Sequence, residues 1–74
     1  MLTADDVLIP MMRDEVEKIL KGRLGAVTVY CSGHELTAIL GDRSAVVTTG
    51  PIENVFSDSC SLADELESDL TSNK

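Results

Sequence analysis

A chain of 74 residues holds one domain with one core, and a domain this small buries only about 60% of the surface its unfolded chain exposes, so its net stability is slender. The apolar share of 43% excludes wholesale disorder, but Val, Leu, Ile, Ala and Met supply it, with Tyr30 and Phe56 as the aromatics. Thirteen acids oppose six bases, a formal charge of −7. The acids gather late, as Glu53, Asp58, Asp64, Glu65, Glu67 and Asp69, which disfavours direct DNA or RNA binding.

No apolar run approaches the roughly 20 residues that span a bilayer, and Asp5 and Asp6 interrupt any secretory signal. The expectation is a cytoplasmic protein with no membrane contact and reduced cysteines.

The N-terminal segment has two readings. Thr3 with Asp6 resembles a helix cap, but Pro10 would then fall inside the helix. Pro10 is better used as the first helical residue, which leaves residues 1–9 as a loosely ordered lead-in. From there Met12, Val16, Ile19 and Leu20 form one apolar stripe, Asp14 with Lys18 and Glu17 with Lys21 are i,i+4 pairs, and Gly22 stops the helix. Lys18, Lys21 and Arg23 complement the helix dipole there without needing an anion.

Alternation then replaces the helical period. Ala26 to Cys31 places Val27, Val29 and Cys31 on one strand face, Ser32-Gly33-His34 is a hairpin turn, and Leu36 to Leu40 is the second strand. Gly41-Asp42-Arg43-Ser44 turns the chain into a third strand, Ala45 to Thr49, which Gly50-Pro51 ends. Ile52 to Phe56 suits either a helical turn or an edge strand, and Ser57 to Ser61 reads as polar loop. Ser61 with Asp64 resembles a capping box for a short acidic helix whose stripe is Leu62, Leu66 and Leu70, followed by a loose tail at 71–74. The fold class is therefore α+β: an amphipathic helix, a three-stranded antiparallel meander and a short acidic helix, in a single domain spanning 1–74.

Chemistry has little to work with. Cys31 and His34 are spaced as C-x-x-H, and Cys60 with Asp58 could complete four metal ligands, but structural zinc takes two close pairs and the second is missing. Cys31 reads instead as a small buried strand residue and His34 as a solvated turn residue, so no metal, cofactor or catalytic site is expected. Gly22-Arg23-Leu24-Gly25 has the spacing of a nucleic-acid-clamping GXXG loop, but it leads into a strand instead of joining two helices. A partner surface is the remaining candidate: Leu62, Leu66 and Leu70 with Asp64, Glu65, Glu67 and Asp69, facing either the chain's own sheet or a partner.

The order of a short amphipathic helix, a Gly-marked entry, the Val-rich strand Ala26 to Tyr30, a tight turn and Leu36-Thr37-Ala38-Ile39-Leu40 before Asp42 resembles the start of tailed-phage head-tail attachment proteins, over residues 12–49. That resemblance implies a ring-forming structural component of a phage or prophage virion, located in the host cytoplasm or the virion. The expected role is a non-enzymatic interaction or assembly module that binds another protein or forms a homo-oligomer. The alternative is an acidic inhibitor whose Asp58, Asp64, Glu65, Glu67 and Asp69 mimic nucleic acid before a basic protein.

Overall fold

The structure, a computed structural model, describes residues 4–50 and 52–72. Thr3, Pro51 and the ends expected to be loose, 1–3 and 73–74, lie outside the described residues. Helix α1 spans Ala4–Leu24, strands β1 (Thr28–Ser32), β2 (Glu35–Leu40) and β3 (Arg43–Thr48) follow, and helix α2 spans Val55–Thr71. The sheet is antiparallel in the order β1-β2-β3, so the α+β class and the meander are as read from the sequence.

Both turns of the meander are two-residue loops. Ser32 pairs with Glu35 around Gly33-His34, and Leu40 pairs with Arg43 around Gly41-Asp42. Gly33 and Gly41 adopt φ of +58° and +65°, and a glycine first in the loop meets the twist of the strands at no Cβ cost.

Both helices pack on one face of the sheet. Val29, Leu36, Ala38, Ala45 and Val47 project from that face and meet Met12, Val16 and Leu20 of α1 and Ala63, Leu66 and Leu70 of α2. The opposite face carries rows of cross-strand neighbours, Tyr30–Thr37–Val46 at its centre, with Tyr30 and Val46 more than half exposed. Two helices thus cover one face, and among the described residues nothing covers the other.

Three expectations are corrected. First, α1 does not start at Pro10: residues 4–9 are helical, not a lead-in, and Pro10 sits inside the helix on an exposed face. The cost of an internal proline, about 3 kcal/mol, is offset because the extra turns bury Ile9, worth roughly 1.5–3 kcal/mol, and half-bury Leu8. The stop moves too, from Gly22 to Gly25, whose φ of +91° lets its N–H reach the Lys21 carbonyl at 3.1 Å.

Second, α2 begins at Val55 and is 17 residues long, so Ser57 to Ser61 is helix and not loop, and Thr71 is its last residue. Asn54 is the N-cap: its side chain accepts from the Ser57 N–H at 3.0 Å, while Asp58 reaches back to the N–H groups of Glu53 and Asn54 at 3.2 and 3.4 Å. The last turn of α2 carries no base of its own, and Arg43 supplies one from the start of β3, donating to the carbonyls of Leu70 and Ser72 at 3.0 and 3.1 Å.

Third, Cys31 is exposed and not buried. Its register puts it on the helix-facing side of the sheet with Leu36 and Val47, but alternation fixes only the face. Cys31 stands on the outermost strand, at the rim of that face.

Candidate functional site

The reactive residues of the sequence do not meet. Cys31 lies on the rim of β1, His34 in the first turn and Cys60 on the exposed side of α2, and among the described residues no three of His, Cys, Asp or Glu gather as metal ligands.

The expected partner surface divides. Leu66 and Leu70 are buried in the chain's own core and Leu62 packs against it, so in this conformation a partner does not reach the two deeper leucines. Asp64 and Glu67 turn toward α1, where Arg23 bonds both, Glu67 at 3.0 Å. This pairing raises the Arg23 pKa, chiefly through the hydrogen bond to Asp64, and leaves that cation engaged within the chain. Asp58, Leu62, Glu65 and Asp69, spaced by four, three and four residues, fall on the opposite flank of α2.

The two edges of the sheet differ, and the difference was not visible in the sequence. On β1 both backbone groups of Val29 turn outward: its carbonyl accepts from Arg13 Nη1 at 2.7 Å, and its N–H donates to Glu17 Oε2 at 3.0 Å. Arg13 and Glu17 are 3.2 Å apart on one turn of α1. Together they supply the donor and the acceptor that a neighbouring strand would offer at Val29 and so cover the middle of this edge, beyond which Cys31, in the same phase of the ladder, is the one further residue of β1 whose backbone turns outward. The Val29 hydrogen bond, helped by the charges of Arg13 and Lys21 and opposed by partial burial, holds the Glu17 carboxyl below its ordinary pKa; Arg13 is raised, first by its hydrogen bond to Asp14.

This geometry fixes the ladder. If Val29 points away from β2, its pair with Ala38 is the kind that exchanges no bonds, and by alternation Ala38 exchanges them with Ala45. The Thr49 N–H donating to the His34 carbonyl at 2.6 Å continues the same phase. The backbone groups of Ser44, Val46 and Thr48 therefore face outward from β3, and no hydrogen bond to them is found among the described residues.

Beside this bare edge lies a cavity. Where β3 runs out, Thr49, Gly50 and Ile52 join Met12 of α1 and Asp58, Ser61 and Leu62 of α2 around a space of about 140 Å³. Thr49 is only 4% exposed, and its hydroxyl has no hydrogen-bond partner among the described residues. Asp58 uses Oδ2 for the backbone of Glu53 and Asn54, which leaves Oδ1 for another donor. Sequence reasoning missed Thr49, although it continues the buried row of Ala45 and Val47, and a hydroxyl falling on a core row is the signal that could have found it.

Comparison with family models, with curated proteins and with solved structures gives no match to this chain. Among the described residues no helix is long and apolar enough to cross a membrane.

Proposed function

We propose that the chain is a non-enzymatic protein–protein interaction module that accepts an extended segment of its partner as a fourth strand beside β3. The asymmetry of the edges supports this reading: α1 covers the middle of β1 with a paired cation and anion, whereas β3 offers three residues whose outward backbone has no hydrogen-bond partner among the described residues. A charge-free edge of Ser44, Val46 and Thr48 is the kind that proteins ordinarily blunt unless it is used.

Glu65 and Asp69 on the flank of α2 next to β3 favour a basic segment over a second copy of this acidic chain. An assembly role in a virion would draw on the same edge, with neighbouring subunits supplying the strand. An acidic inhibitor in the place of nucleic acid is less well served, because Arg23 already takes up Asp64 and Glu67, two of its five carboxylates.

Amide hydrogen exchange tests the proposal. The Val29 amide should exchange slowly and those of Ser44, Val46 and Thr48 rapidly, and a blocked hexapeptide of alternating threonine and lysine should slow the latter three. Val46→Pro removes an outward N–H without touching the ladder to β2, and Val46→Lys adds an edge charge. Both variants should keep the native circular dichroism and lose the protection. If millimolar peptide leaves the three amides unchanged in the wild type, the proposal fails.

A further inference from the structure

Resting on that reading, we infer that the cavity at the end of β3 is a binding site for one lysine side chain of the added strand. Its position fits. Thr49 continues the helix-facing row of β3, so side chains on the same face of a strand laid against β3 point down the flank of α2 toward Asp58 and Leu62.

Its chemistry fits as well. Met12, Ile52 and Leu62 offer apolar walls for a four-methylene stem. Three oxygens are placed for the head: the buried, unpartnered Thr49 hydroxyl, the remaining oxygen of Asp58 and the Ser61 hydroxyl. An ammonium group has three donors and one charge, matching three acceptors of which one is an anion. The unpartnered Thr49 hydroxyl is otherwise a cost, since a buried polar group without a hydrogen bond destabilises the fold by about 1–3 kcal/mol. Glu65 and Asp69 extend the site. Glu65 and Asp69 are four residues apart, about 6 Å along the helix and close to the roughly 7 Å between alternate residues of a strand, so two further basic residues at alternate positions, farther along the strand from the lysine, meet these carboxylates.

The test walks a single lysine through a blocked hexapeptide of threonine and valine and compares each peptide with its norleucine counterpart by calorimetric titration at low salt. One position should bind at least tenfold more tightly with lysine than with norleucine, moving the amide resonances of Thr49 and Ser61 most. Asp58→Asn and Thr49→Val should each abolish that preference while the peptide still protects Ser44, Val46 and Thr48. Thr49→Val keeps the side-chain shape, so it answers the question even if Asp58→Asn weakens the start of α2. Equal binding of lysine and norleucine, or a preference that survives both substitutions, overturns the lysine site and leaves strand addition standing. Absence of any Val46→Pro-sensitive binding overturns both. Peptide-free sedimentation at dimer mass with the same three amides protected gives the edge to a second copy and also overturns the inference.

Discussion

Glu17 is the residue on which the cover over Val29, at the middle of the β1 edge, depends, because its carboxylate accepts the Val29 N–H while Arg13 holds the carbonyl. Its folded pKa lies below the ordinary value of about 4.3, so its contribution is complete above about pH 5 and is lost as the pH falls through the folded value. Glu17→Gln should lower stability by about 1 kcal/mol at pH 7, and the gap to the wild type should close below pH 4, as read from urea midpoints at the two pH values. A gap of the same size at pH 3 would mean that the carboxylate charge plays no part. Glu17 and Lys21 were paired from their spacing and do meet, at 3.7 Å. That Arg13 and Glu17 would meet a strand was not legible, since nothing local says which strand passes beside a helix turn.

Among the elements, the meander was the most legible, because Gly33 and Gly41 mark two-residue loops between alternating runs and the alternation places Val29, Leu36, Ala38, Ala45 and Val47 on one face. The helices were misjudged at their starts, where local signals and packing disagree. Ser57, Ser59 and Ser61 suggest loop by propensity, yet Val55, Ser59, Ala63, Leu66 and Leu70 recur at helical spacing, and Ser59 is buried as a small residue on that stripe. In α1 the proline signal was strong, and the burial of Ile9 with Leu8 offsets it. Since those two contributions nearly cancel, the first two turns of α1 add little net stability. Pro10→Ala, which restores a donor toward the Asp6 carbonyl, should raise stability by roughly 1–3 kcal/mol and slow amide exchange before residue 10, measured by thermal melting and NMR. An unchanged melting temperature would mean that the proline is accommodated without loss.

At the scale of the whole molecule, the charge of −7 is not spread evenly. Arg13 and Arg23 bind acids between elements or along α1, and Arg43 holds the end of α2. Glu65 and Asp69, on the flank of α2 away from Arg23, have no ion pair among the described residues. The candidate site was therefore half legible: the acids were named from the sequence, while the backbone they flank and the Thr49 cavity depend on how α2 lies along β3. A partner held this way is guided by charge over a Debye length of about 10 Å at 0.1 M salt and then fixed by backbone hydrogen bonds.

The two tight hairpins bear on kinetics as well as on shape. Strands joined by two residues zip within microseconds once the chain collapses, whereas α2 can dock only after about thirty residues separating it from α1 have been ordered. For that interval the sheet stands with half its cover and its sticky rim in the open, when it is most apt to join a neighbour out of turn. Refolding yield should therefore drop steeply with protein concentration while the folded protein tolerates the same concentration. Val46→Lys should recover the yield, as light scattering during dilution from urea would reveal, and aggregation undiminished by that substitution would place the trouble elsewhere in the chain.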